Sequence, residues 1–163
     1  MVYTNDNIKK ICNFYVSDWH LAVMLLPYIN KEINKGTKIT TVFQNNMRNN
    51  IETLVRKLNL KNEKEILQID WNTKNNSILE RYVKENLSGG EENLFIINGD
   101  KEYVEKSNEK VIEYIGKNKT KKNFIKIVDC YEVEQNEEKM YNIIKMHDCV
   151  LNTSGEHNIE KII

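Results

Sequence analysis

Apolar positions along this chain switch between two spacings, and the switches mark its elements. Residues 11–16 alternate, with Phe14 and Val16 on one side and Tyr15 on the other, and predict a first strand. Ser17-Asp18 then offers an N-cap to a helix over about 19–35. That helix is apolar almost all round (Leu21, Val23, Met24, Leu25, Leu26, Ile29, Ile33), which predicts burial. Pro27 removes a backbone donor inside it and predicts a kink, and Gly36 ends it. Residues 38–43 are rich in β-branched side chains and predict a second strand. Met47, Ile51, Leu54, Val55 and Leu58 follow at helical spacing, then residues 65–69 read as a short third strand. Ile78, Leu79, Tyr82, Val83 and Leu87 mark a third helix, and Ser88-Gly89-Gly90 a loop. Residues 94–97 are apolar throughout, as a strand covered on both faces should be. Val104, Val111, Ile112 and Ile115 mark a fourth helix ended by Gly116. A fifth strand is expected at 124–128, a fifth helix at 137–146 and a sixth strand at 149–151.

Strands alternating with helices imply right-handed crossovers and a mostly parallel sheet of about six strands, with helices on both faces. The length of 163 residues fits one α/β domain over 1–163, and no repeat at a fixed period is visible.

Composition narrows the function classes. Hydrophobic residues are 40% and charged residues 29%, enough for both a core and a solvated surface. Lys plus Arg equals Asp plus Glu at 24 each, so no net field favours nucleic acid or an anionic membrane. The only arginines are Arg48, Arg56 and Arg81, which removes most of the usual forks for phosphates and base edges. The apolar run 21–29 is too short to span a bilayer and contains Pro27. The start, 1–10, is polar and unlike a signal peptide. Three widely spaced cysteines do not make a disulfide framework, so a reducing, cytoplasmic location is expected. The basic tract 117–126 reads as a solvated loop before a buried strand; a phosphate-binding patch is the sharper alternative.

In open parallel sheets ligands bind beyond the carboxyl ends of the strands. That rule selects Asp18, Trp19 and His20 after the first strand, Gln44 after the second, Asp70 and Trp71 after the third, and Asn98 and Asp100 after the fourth. It adds Cys130 and Tyr131 after the fifth, and Asn152, Ser154, Gly155, Glu156 and His157 after the sixth. A small-molecule pocket would be lined by residues of this set.

The catalytic alternatives are thinner. No Gly-x-x-x-x-Gly-Lys-Ser/Thr or Gly-x-Gly-x-x-Gly turn is present, and bulky side chains follow the first strand where a phosphate cradle needs glycine. Gly89-Gly90 precedes a strand, the wrong context for a dinucleotide turn. Cys130 could pair with His147 or His157 as nucleophile and base, although a cysteine beside a buried strand is more simply a small core residue. Cys130, His147, Cys149 and His157 lie close in sequence, but their spacing matches no structural zinc pattern. Asp18 has a plain role as a helix cap and His20 as its exposed neighbour. No cofactor or metal is called for.

Two stretches resemble a known family. The first is Ile11-Cys12-Asn13-Phe14-Tyr15, the run Leu21-Ala22-Val23-Met24-Leu25-Leu26-Pro27-Tyr28-Ile29, and Gly36 before a strand. The second is Ile127-Val128-Asp129-Cys130-Tyr131 and His147-Asp148-Cys149-Val150-Leu151, ending near Gly155. Together they resemble the MEDS family, a sensory domain of methanogen and methylotroph regulators, over nearly the whole chain. Lys10 stands where that family often has a His, and Asp148 follows His147 where it commonly has Pro. The resemblance implies a three-layer, RecA-like α/β fold without a working phosphate loop, and a signalling role exercised through a partner protein. The expected function is thus a stand-alone, non-catalytic sensory or regulatory binding module. A small Cys/His hydrolase or transferase is the second reading. A homodimeric interaction protein, with Trp19 and Trp71 as interface anchors, is the third.

Overall fold

A computed structural model describes residues 8–87, 92–118 and 124–159. Strand β1 (Ile8–Tyr15) leads into helix α1 (Asp18–Asn34), then β2 (Lys38–Phe43) and helices α2 (Arg48–Leu58) and α3 (Glu63–Gln68). A 3-10 turn (Asn76–Ile78) precedes α4 (Leu79–Asn86), followed by β3 (Asn93–Asn98), α5 (Lys101–Asn118) and β4 (Ile125–Glu132). Short helices α6 (Val133–Asn136) and α7 (Met140–Lys145) lead to β5 (Cys149–Asn152) and β6 (Gly155–Asn158). The strands form one six-stranded sheet in the order β2-β3-β4-β1-β5-β6. All neighbours run parallel except β5 and β6, which pair as an antiparallel hairpin. The architecture is the three-layer, mostly parallel α/β fold expected.

Alternation along the strands builds two cores. Ile11, Tyr15, Val128, Cys130, Cys149 and Leu151 face α1, α2 and α3. Cys12, Ile127, Tyr131 and the partly buried Val150 face α4, α5 and α7. β3 contributes to both, with Leu94 and Ile96 on one side and Phe95 and Ile97 on the other. This explains why its sequence is apolar without alternation.

Local chemistry sets the ends of α1. Ser17, and not Asp18, is its N-cap: the Ser17 hydroxyl accepts from the His20 backbone N–H at 3.1 Å. At the other end Gly36 sits at φ +86°, and its N–H donates to Ile33 O while Thr37 N–H donates to Glu32 O. A side chain at Gly36 would be strained in that backbone conformation, so glycine is the stop signal there. α1 continues through Pro27, which is exposed; the carbonyl deprived of a donor belongs to Val23, also on the outer side.

Several expected elements need correction. Residues 65–69 are not a strand. Glu63 and Glu65 occupy the first turn of α3, where acidic side chains favour the helix dipole, and Ile66 turns into the first core. The sixth strand of the sheet is instead β6. Gly116 does not end α5, which runs on to Asn118. The predicted loop 88–90 and most of the basic tract, 119–123, lie outside the described residues. Among the described residues no helix is long and apolar enough to cross a membrane.

Candidate functional site

The helix after β1 lies on one face of the sheet and those after β4 on the other, so the topological switch point falls between these two neighbouring strands. The polar groups near it bond chiefly to one another. Asn98 Nδ2 donates to the Tyr15 hydroxyl at 2.8 Å, and Asn45 Nδ2 approaches the same oxygen at 3.4 Å. Burial holds the Tyr15 hydroxyl well above its ordinary pKa. Gln44 and Asp100 form a reciprocal pair: Asp100 N–H donates to Gln44 Oε1 at 2.7 Å and Gln44 Nε2 to Asp100 Oδ2 at 3.1 Å. Asp100 also accepts from Tyr103 N–H, capping α5.

The other candidates scatter. Trp71 is not a pocket wall: it is 1% exposed, donates Nε1–H to Ile66 O and meets Phe43 edge-on. Asp70 closes its own loop, accepting from Asn72 N–H and pairing with Lys74 at 3.1 Å. Trp19 is exposed, and His20 Nδ1 accepts from Val16 N–H. Of the selected residues, the structure joins Gln44, Asn98 and Asp100 at this end, since Gln44 N–H also donates to Asn98 O, and Asn152, Ser154 and His157 at the β5–β6 turn.

The nucleophile–imidazole pairs are not assembled. Cys130 is fully buried on the α1 side, while Asp129 and Tyr131 point to the α5 side, where His147 binds. His147 has no spare nitrogen: Nδ1 faces Ile143 O at 2.6 Å and Nε2 faces Asp129 Oδ2 at 2.7 Å. Asn108 Nδ2 completes this buried group by donating to both Asp129 oxygens, and Tyr131 packs edge-on against the imidazole. His157 pairs across from Val150 and so shares that strand's α5 side, opposite Cys130. Its Nε2 contacts Ser154 Oγ at 2.7 Å and Asn152 Oδ1 at 3.1 Å. Ser154 Oγ already donates to Asn152 Oδ1 at 2.7 Å, which leaves the ring nitrogen as donor and not as base. Among the described residues no group of three or more His, Cys, Asp and Glu is placed to hold a metal ion.

A built cleft lies elsewhere. It has a volume of about 480 Å³ and opens between the C-terminal half of α1 and the β5–β6 hairpin. Lys9 on β1 and Lys126 on β4 face each other in register, on the α1 side, at the amino-terminal ends of their strands. Two ammoniums so placed repel unless an anion stands between them. Glu156 from β6 supplies it, with Oε1 at 2.6 Å from Lys9 Nζ and Oε2 at 2.9 Å from Lys126 Nζ. Tyr28 on α1 donates its hydroxyl to Glu156 Oε2 at 2.8 Å. Glu32, 1% exposed, lies 3.3 Å from Lys126 and 3.1 Å from Lys35, but neither approach has hydrogen-bond geometry for its carboxylate.

The electrostatics follow from these contacts. Burial alone would raise the Glu156 carboxyl; hydrogen bonds from Lys9, Lys126 and Tyr28 outweigh it and pull the pKa down to about 2. Burial disfavours the Lys126 ammonium, yet its bonds to Glu156 and the nearby Glu32 charge raise its pKa. Met24, Pro27 and Tyr28 give the cleft an apolar wall, and the hairpin turn Asn152-Thr153-Ser154-Gly155 covers it. A second, flatter depression is lined by one short stretch, 60–68, and gathers no comparable set of charges.

The carboxyl-end rule selects Asn152, Ser154, Gly155 and Glu156, all of which line the cleft, but does not reach Lys9, Lys126, Tyr28 and Glu32. Strand parity could have found the lysines: Lys9 shares a side with Ile11, and Lys126 with Val128 and Cys130. A lysine on the inward side of a strand needs a carboxylate partner. Comparison with family models, curated proteins and solved structures found no match for this chain.

Proposed function

We propose that this protein is a non-catalytic sensory or regulatory binding module that recognises a small molecule in the cleft between α1 and the β5–β6 hairpin and passes that state to a partner protein. The observation that carries this reading is the convergence of Lys9, Lys126, Tyr28 and Glu156, from four elements, on one recess. Its size and its mix of an apolar wall with a few converging polar groups suit a small ligand. The likeness to the MEDS sensory domain points the same way. The separation of Cys130 from both histidines, and the occupied nitrogens of His147, weigh against the hydrolase reading.

A thermal-shift screen with anionic, neutral and cationic metabolites tests the proposal, using the wild type beside Thr153→Trp, which adds bulk to the hairpin turn lining the cleft. A compound at 100 times its dissociation constant should stabilise the wild type by about 2.7 kcal/mol and leave the variant unmoved. If no compound shifts the wild type, or the variant responds equally, the reading fails.

A second reading, a homodimeric interaction protein, rests on the outer face of α1. On the helix Trp19 is 50% and Val23 39% exposed, Pro27 continues the row, and Val16, just before the Ser17 cap, is 66% exposed. Light scattering after size exclusion distinguishes it: a dimer that Trp19→Ala converts to monomer favours this reading.

A further inference from the structure

We infer that the ligand of the α1–hairpin cleft is a small organic anion, and that Glu156 is an internal competitor which the ligand's acid group displaces from Lys9 and Lys126. This rests on the cleft being the binding site and adds the class of ligand.

Charge in the lining is the first argument. Lys9, Lys31, Lys35 and Lys126 stand against Glu32 and Glu156, four cations to two anions, a net of +2. Lys31, on the rim, has no ion-pair or hydrogen-bond partner among the described residues. An ammonium without a counter-charge at the edge of a cleft draws anions inward and is not needed to hold the fold. Lysine also suits the task, since it grips phosphate and carboxylate as a point charge with three rotatable donors.

Placement of the glutamate is the second argument. The two ammoniums already hold one carboxylate between them, so that position is demonstrably an acid-group site. Its occupant is carried by β6, an edge strand of four residues. Lys9 engages Glu156 and the nearby Cys149, and Lys126 engages Glu156 and Glu32, so each ammonium keeps a spare N–H donor for an arriving anion. As the anion takes the ammoniums, Glu156 loses its ties to β1 and β4. Tyr28 is then the one side chain described as holding it to the body of the fold. Strand β6 would be left on its pairing with β5, which gives a partner protein a state to read. Met24, Pro27 and the Tyr28 ring provide a wall for the ligand's carbon skeleton.

Displacement makes a prediction of unusual sign. Removing the Glu156 charge should strengthen binding, whereas damage to a purely structural glutamate weakens it. Isothermal titration calorimetry at low salt, with inorganic phosphate, glucose 6-phosphate and citrate as probes, measures this on the full chain. At least one probe should bind the wild type saturably. Glu156→Gln should bind it about fivefold tighter, the scale of one partly screened charge. Lys31→Ala should bind several-fold more weakly, with no more than the small fall in melting temperature that loss of a cation from the last turn of α1 brings. Should Glu156→Gln fail to fold, Tyr28→Phe loosens the same carboxylate and should also tighten binding. Equal or weaker binding by folded Glu156→Gln or Tyr28→Phe overturns the inference, as does no binding of any probe. If the thermal-shift screen meanwhile finds a neutral or cationic compound excluded by Thr153→Trp, the cleft is a site and only its anion class is lost. If that screen finds nothing either, both readings fall.

Discussion

His147 Nε2 lies 2.7 Å from Asp129 Oδ2, and both side chains are almost completely shut away from water. Ile143 O can only accept, so Nδ1 is the side that donates to it, and Nε2 is turned to the carboxylate. Breaking such a pair from one side leaves a buried carboxylate with Asn108 as its remaining side-chain donor. His147→Ala should therefore lower unfolding stability by about 3–5 kcal/mol. Asn108→Ala removes a neutral donor and should cost about 1–3 kcal/mol. Urea unfolding of both variants checks the order; a His147→Ala loss below that of Asn108→Ala would refute a structural pair.

Acid stability should carry the mark of Glu156. Its carboxyl is depressed from an ordinary 4.5 to about 2 in the folded state. Stability from this group is complete above the unfolded value and is lost as pH falls through the folded one. The groups facing it are Lys9, Lys126, Tyr28, the Cys149 thiol and, through Lys126, Glu32. The lysines stay charged across this range, their pKa values being raised against the opposing effect of burial. The wild-type melting temperature should thus fall between about pH 4.5 and pH 2, and the fall should be shallower in Glu156→Gln. Parallel melting curves across that window would show that the glutamate is not tied down as described.

What could be read from the pattern, and what could not, divides along a physical line. β1, β2 and α1 announce themselves because their apolar spacing and the Gly36 stop are local properties. Residues 65–69 misled because Ile66, Leu67 and Ile69 fit a strand run as well as one helical turn, and only packing of Ile66 beneath α1 and α2 decides. The cleft was harder. Lys9 and Lys126 meet only because β4 lies beside β1, a non-local pairing, and Glu156 reaches them only because β6 turns back antiparallel. The carboxyl-end rule looked to the opposite end of the strands from these lysines, where Asn98, Gln44 and Asp100 bond among themselves.

Thiol chemistry offers an independent check on the rejected nucleophile. Burial pushes the Cys12 thiol up to about 12, holds Cys130 well above its ordinary value and raises Cys149. All three are buried and free. The native protein at pH 8 should be nearly inert to Ellman's reagent, and all three thiols should react once urea unfolds it. A single fast thiol in the native state would restore a cysteine-based activity to consideration.

The two tryptophans should behave as opposites. Trp71 is 1% exposed, with its indole N–H on Ile66 O and its ring against Phe43, whereas Trp19 is 50% exposed at the start of α1. Acrylamide should quench Trp19 strongly and Trp71 hardly at all, which single-tryptophan variants (Trp71→Phe and Trp19→Phe) would separate. Truncating Trp71 to alanine opens a core cavity and should cost about 3–5 kcal/mol. Trp19→Ala touches no such packing and should fall within about 0.5 kcal/mol for a monomer. Apolar side chains at Val16, Trp19 and Val23 on one surface can nevertheless anchor a second copy, and the same substitution then has a different signature. In that case Trp19 should be shielded from acrylamide in concentrated wild type and become accessible on dilution. Quenching of Trp19 that is strong and independent of concentration leaves α1 facing solvent and removes the dimer reading.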